Sequence, residues 1–151
     1  MAQIVRTSEA AAIGLHGALL VAASPGERLS TARVAAHLDI STHHCSKVLQ
    51  RLTRAGILEA VRGPNGGFSL AKPAGDIELL EVYEAIDGPL QDTQCLFHKP
   101  HCRFGECVLG DMFAEVNRVI RSHLDGLTLA DVLASRPERF GFGHPKENKS
   151  A

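Results

Sequence analysis

The fold is decided by residues 30–68, which read STARVAAHLDISTHHCSKVLQRLTRAGILEAVRGPNGGF. A short helix is predicted over about 30–38, with a hydroxyl residue at its start as the cap. Residues 39–41 form a tight connection that ends in a predicted N-cap at Ser41, and a second helix is predicted over about 42–55. Its apolar residues recur at spacings of three and four, which places them on one inward stripe. They are Cys45, Val48, Leu49 and Leu52.

The periodicity changes at Gly56, which is a natural helix stop. Residues 57–61 and 68–70 suit two β-strands, and the loop RGPNGG over 62–67 is rich in turn-forming residues. Two strands around such a loop predict a β-hairpin. Helix, short turn, helix and hairpin follow one another in the order of a winged helix-turn-helix. The predicted fold class is therefore mainly α with a small β-hairpin wing (α+β).

The predicted second helix has the size of a helix that enters the DNA major groove, about 12 Å wide, with its N-terminal residues toward the base edges. Arg62 and Asn65 of the hairpin loop stand beside glycines, which let the backbone approach DNA, and arginine favours narrow, negative minor grooves. Both elements are therefore predicted to contact double-stranded DNA. A winged helix used only for protein contacts, with solvated polar residues, is the alternative. The outward residues of the helix are Thr42, His43, Ser46, Lys47, Gln50 and Arg51.

Composition and charge restrict the class of protein. The chain has 151 residues, 44% of them apolar and 22% charged, which is typical of a folded domain and excludes a disordered one. No stretch reaches the roughly 20 apolar residues that span a bilayer. Residues 1–75 hold eight Lys/Arg and four Asp/Glu, a balance of +4, whereas residues 76–151 hold eight and thirteen, a balance of −5. Residues 1–75 are therefore predicted to bind a polyanion. No catalytic motif is present, so an enzyme is not expected.

The first apolar run, over 10–23, imitates a signal peptide poorly. Glu9 and His16 lie in or beside the run, and Arg6 is the one positive charge that precedes it. We expect an ordinary first helix over about 7–23, buried on most sides, with His16 as a core histidine. The protein is then expected in the cytoplasm, where disulfides are disfavoured.

Three of the four cysteines, Cys95, Cys102 and Cys107, stand close together with the spacing C-x6-C-x4-C. Thiolates bind soft metals, so this spacing indicates a metal or an iron–sulfur site. Spacing alone leaves three alternatives open: zinc with His98 as a fourth ligand, an iron–sulfur cluster with one outside ligand, and a redox switch of free thiols. Cys45 lies on the inward stripe of the second helix and is predicted to be a buried apolar residue.

Three regions are predicted along the chain. They are a winged helix-turn-helix DNA-binding domain over 1–75, a region with the cysteine loop and a long helix over 76–134, and a flexible tail over 135–151. The second region is expected to hold helices over about 77–86, 106–124 and 128–134.

These features together resemble the IscR/NsrR-type family of bacterial winged-helix regulators, over about residues 5–134. Besides the three-cysteine loop, the resemblance is carried by the helix over 41–52, VRGPNGGF over 61–68, EVYEAIDG over 81–88 and LTLADVL over 127–133. It implies a transcriptional regulator, favouring a repressor. It also implies a homodimer that pairs through the long helix and binds a pseudo-palindromic operator.

The resemblance further implies a cofactor and a set of contacts. Many family members carry a [2Fe-2S] or [4Fe-4S] cluster on the three cysteines, and its state alters DNA affinity in response to nitric oxide, oxidants or iron. In two branches of the family, one further residue supplies the fourth ligand of the cluster. The corresponding positions hold Gly110 and Ala11 here, which have no ligating side chain. The fourth ligand and the cluster type therefore stay open. By position, the implied DNA contacts are Ser41, His43, Ser46, Lys47 and Arg62.

Overall fold

A computed structural model describes residues 7–90 and 109–136. These ranges hold six α-helices and a two-stranded antiparallel sheet, which is the predicted fold class. The helices are α1 (Glu9–Ala22), α2 (Thr31–Leu38), α3 (Thr42–Arg54), α4 (Leu79–Asp87), α5 (Gly110–Leu124) and α6 (Leu129–Ser135), and the strands are β1 (Leu58–Val61) and β2 (Gly67–Leu70).

The first three helices begin at hydroxyl caps, which the sequence predicts for α2 and α3. Ser8, Ser30 and Ser41 each accept the backbone N–H of the residue three positions later, at 2.9, 3.2 and 3.2 Å. Each bond satisfies a donor that the first turn of a helix leaves without a partner. The chain leaves α2 through Asp39 and passes Gly56 after α3, both with positive φ, 56° and 76°. These residues end the helices by turning the backbone into the left-handed region.

The apolar core lies around α1. The predicted stripe of α3 is buried in it, together with residues of α2, the hairpin, α4 and α6. Two glycines let α1 approach its neighbours closely: a Cβ at Gly14 would lie 2.9 Å from Cγ1 of Ile86, and one at Gly17 would lie 3.2 Å from Cδ2 of Leu49. The absence of side chains at these two positions therefore lets α1 pack close to α4 and α3.

The prediction that His16 is a core histidine is wrong. The side chain is exposed, and its Nδ1 lies 2.8 Å from the carbonyl oxygen of Ala12, one turn earlier. His16 shares its side of α1 with the exposed Glu9, seven residues before it. Since positions seven apart lie on one helix face, this face is the narrow solvent side of an otherwise buried helix.

The second half of the fold departs from the predicted bounds for a tertiary reason. Ile77 and Glu78 were expected in a helix, but they are extended because they pair with the segment before α6. Ile77 accepts the N–H of Leu129 at 2.9 Å, and the N–H of Leu79 reaches the carbonyl of Leu127 at 2.8 Å. The helix α4 therefore starts two residues later than predicted.

Part of the predicted long helix and tail lies outside the described residues. The described portion of α5 begins at Gly110, whereas residues 106–108 of the prediction are not described. Residues 137–151, most of the predicted tail, are likewise outside. Within the described ranges, no helix combines the length and the apolar content needed to cross a membrane.

Candidate nucleic-acid interface

The helix α3 presents a polar face because its apolar residues are all turned into the core. Cys45, Val48, Leu49 and Leu52 are at most 2% exposed, whereas Thr42, His43, Lys47 and Gln50 are exposed and Ser46 is half-buried. Gln50 Nε2 donates to Ser46 Oγ at 3.2 Å, one turn away. This confirms the predicted direction of the helix.

The hairpin is tied to the rest of the domain through Leu29. Its own register runs from Leu58 opposite Leu70 to Val61 opposite Gly67. Leu29, between α1 and α2, exchanges two backbone hydrogen bonds with Phe68, at 2.8 and 3.0 Å. Gly67 (φ 143°) makes this approach possible, since a Cβ there would lie 2.7 Å from the carbonyl oxygen of Leu29. The hairpin is therefore held in place beside the start of α2.

A groove of about 610 Å³ lies between α3 and the hairpin. It brings together two predicted DNA-binding residues, Ser46 of α3 and Arg62 of the hairpin loop. The exposed Arg62 makes no hydrogen bond or ion pair with any other described residue. Arg62 is thus available to an anion that approaches the groove.

Thr53 and Arg54 also line this groove, and sequence reasoning did not single them out. Arg54 follows Lys47 by seven positions and Gln50 by four, so helical spacing puts all three on one side of α3. That spacing was the available signal.

Asn65 does not share the groove with Arg62. It lines a second depression together with Arg28 and Arg33, and Pro64 and Gly66 of the loop border both depressions. Arg33 forms an exposed ion pair with Glu27 in this depression. Arg62 and Asn65, which the sequence predicts as parts of one contact, thus line two neighbouring depressions.

Arg51 is engaged within the chain. Its Nη2 donates to the carbonyl oxygen of Ile86, near the end of α4, at 2.6 Å. This bond directs the guanidinium to α4, and Arg51 does not line the groove between α3 and the hairpin. Ser41, another predicted contact, uses its hydroxyl oxygen to cap α3.

Burial raises the pKa of the Cys45 thiol, which is consistent with the predicted apolar role. The three predicted metal ligands, Cys95, Cys102 and Cys107, lie outside the described residues. Among the residues that are described, no group of three or more His, Cys, Asp and Glu side chains is placed to hold a metal ion.

Comparison with known proteins identifies the family. A family model described as Rrf2, iron-dependent transcriptional regulator, matches residues 7–135. The chain belongs to the Rrf2 family. It is 40% identical over 77 residues to the HTH-type transcriptional regulator IscR of Cereibacter sphaeroides, a match covering 51% of this chain and 50% of that protein. The resemblance to IscR/NsrR-type regulators is thereby confirmed.

Solved structures of other regulators share the fold. CymR of B. subtilis, the global cysteine regulator, superposes with a TM-score of 0.74 at 20% identity, covering 87% of this chain and 98% of that one. IscR of T. potens gives 0.67 at 22% identity, with coverage of 87% and 88%. These relatives are transcriptional regulators and not enzymes. The chain spans half to two thirds of the length of the curated relatives it matches.

Proposed function

We propose that this protein is a DNA-binding transcriptional regulator, acting as a repressor in the cytoplasm. The observation that carries the proposal is the groove that Ser46 and Gln50 of α3 line together with Arg62 of the hairpin loop. A helix with a polar face beside an arginine-bearing loop matches the way winged helices place one element in the major groove and another at the minor groove or backbone.

The proposed base-contacting residues are those at the exposed start and outer face of α3. They are Thr42, His43, Ser46 and Lys47, with Ser41 at the cap. Arg54 and Arg62 are proposed to contact phosphate or the minor groove, because arginine is the side chain best suited to both. Asn65 is proposed to contact the DNA backbone from the second depression.

A homodimer through α5 is part of the proposal. Leu109 at the N-cap of this helix is 45% exposed, and Met112 and Val119 on the helix are 44% and 58% exposed. Their spacings of three and seven give an apolar stripe along one face, which a second copy of α5 would cover. Two copies present two recognition helices, so the operator is proposed to be a pseudo-palindrome with half-sites one helical turn apart.

Sensing is proposed to reside in an iron–sulfur cluster on Cys95, Cys102 and Cys107. The chemistry of this donor set supports it: three thiolates close in sequence suit an iron–sulfur cluster, which would supply sensitivity to redox state, nitric oxide or iron supply. Zinc, or thiol oxidation without a metal, is the alternative for the same residues. Anaerobic purification should yield a coloured protein with iron and acid-labile sulfide, and a colourless protein with stoichiometric zinc would refute the cluster.

DNA binding is tested by selecting duplexes from a random-sequence library and measuring affinity for the selected site at fixed salt. Arg62→Ala should weaken binding by about 1–3 kcal/mol, or roughly 5- to 150-fold. The matched control is Arg118→Ala, which removes the same charge from the solvent face of α5, where Arg118 pairs with Glu115. Equal losses in both variants would show that only net charge matters and would remove the hairpin from the interface.

A further inference from the structure

The carboxyl end of α4 is unusual for a helix end. Its last turn carries Glu84 and Asp87 and has no basic residue. Negative charges at this end are unfavourable, because the helix dipole places negative partial charge there. The presence of two carboxylates at this helix end is therefore best explained by the groups to which they bind.

Each carboxylate binds a different element. Asp87 accepts from the backbone N–H of Ser8, at 3.2 Å, and from its hydroxyl, so it holds the N-cap of α1. Glu84 accepts the N–H of Leu90 at 3.1 Å, and its Oε1 lies 3.7 Å from Nη1 of Arg121 of α5. Arg121 also donates to the carbonyl oxygen of Leu90. Leu90 is thus held at both of its backbone polar groups.

The carboxyl end of α4 also binds α3, the helix proposed to contact DNA. Arg51 of α3 donates to the carbonyl oxygen of Ile86, which lies between Glu84 and Asp87 in the sequence. The side chain of Ile86 is buried against Gly14 of α1, where no room remains for even one more carbon. Since close-packed contacts resist small displacements, these contacts form a continuous path along which a shift at Leu90 or α5 would reach α3.

We infer that the carboxyl end of α4 is a junction that couples the position of α3 to Leu90 and α5, with Arg51 and Arg121 as positioning residues. This inference rests on the proposed function for the role of α3 in DNA binding. Leu90 precedes Cys95 by five residues, so the junction is close in sequence to the three thiols. The junction also contacts α5, which is the proposed pairing helix. Arg51 accordingly acts on DNA binding through α4 and not by touching a base.

The test compares Arg121→Gln with Arg118→Gln in the full-length protein. Both arginines lie on α5, but Arg118 pairs only within its own helix, with Glu115, among the described residues. Arg121→Gln should weaken affinity for the selected duplex about 2- to 30-fold, as expected for a coupling residue away from both sites. Amide hydrogen exchange of the DNA-free protein should become faster at Leu90 and also in α3. Arg118→Gln should change neither.

Coupling is reciprocal, so the opposite perturbation gives a second test. Arg51→Gln should accelerate exchange of the Leu90 amide, which lies on the other side of α4. If Arg121→Gln unfolds the protein, Glu84→Gln replaces it, because this variant keeps an acceptor oxygen for Leu90 but removes the charge that faces Arg121.

The inference is overturned if exchange in Arg121→Gln, or in its replacement Glu84→Gln, changes only at Leu90 and α5 while α3 and DNA affinity match the Arg118→Gln control. Failure of the proposed function is a different result, namely a wild-type protein that selects no duplex. In that case the two exchange experiments still decide whether the junction couples α3 to Leu90.

Discussion

The contact between the hairpin and the segment before α2 gives a stability prediction for Gly67→Ala. At φ 143° an L-residue is strained, at a cost of about 1–3 kcal/mol. The new Cβ would also lie 2.7 and 2.8 Å from the carbonyl oxygen and carbon of Leu29. These are backbone atoms, so the segment must move and the two hydrogen bonds between Leu29 and Phe68 are lost. At about 0.5–1.5 kcal/mol each, they bring the expected loss to about 2–6 kcal/mol.

The matched control is Gly63→Ala in the same hairpin. Gly63 also has positive φ, 115°, but a Cβ there meets no atom within 4 Å. It should therefore cost only the conformational strain, about 1–3 kcal/mol. Equilibrium urea denaturation of both variants measures the difference in the free energy of unfolding. If Gly67→Ala is no more destabilised than Gly63→Ala, the bridge through Leu29 does not hold the hairpin.

Two further predictions concern Cys45 and the cap of α6. Burial raises the pKa of the Cys45 thiol, so Cys45 should resist iodoacetamide at neutral pH in the native protein and react in denaturant. Rapid labelling of the native protein would contradict the buried position of Cys45. Thr128→Ala should cost about 1 kcal/mol in the free energy of unfolding, because Thr128 Oγ1 accepts the N–H of Asp131 at 3.1 Å. Hydrogen bonds from Thr128 lower the pKa of Asp131, so this carboxylate stabilises the fold above the ordinary Asp pKa and ceases to do so as the pH falls through its lowered value. Thr128→Ala keeps the backbone bond to Asp131, the larger cause, and removes only the hydroxyl bond. Its stability should therefore depend somewhat less on acidification than that of the wild type, and identical acid profiles would show that the hydroxyl does not contribute to the lowered pKa.

Interface residues divide into those that local periodicity could predict and those that it could not. The outward direction of Ser46 and Lys47 followed from the buried stripe of α3, because a helical period assigns both faces at once. Arg54 obeys the same period and could have been found. Arg51 could not, because its partner is a carbonyl 35 positions away on another helix. Asn65 and Arg62 are three residues apart in one loop, and only the folded hairpin shows that they line two neighbouring depressions.

The sequence by itself determined the features that depend on neighbouring residues. They are the helix caps at Ser30 and Ser41, the helix stop at Gly56 and the hairpin loop. These depend on hydrogen bonds and backbone preferences within a few residues, so the local sequence suffices. The tertiary structure decided which groups meet across the chain. It converted Ile77 and Glu78 from helix to an extended pair with the segment before α6. It also joined α1, α3, α5 and Leu90 at the end of α4, because such partners are chosen by packing and not by spacing.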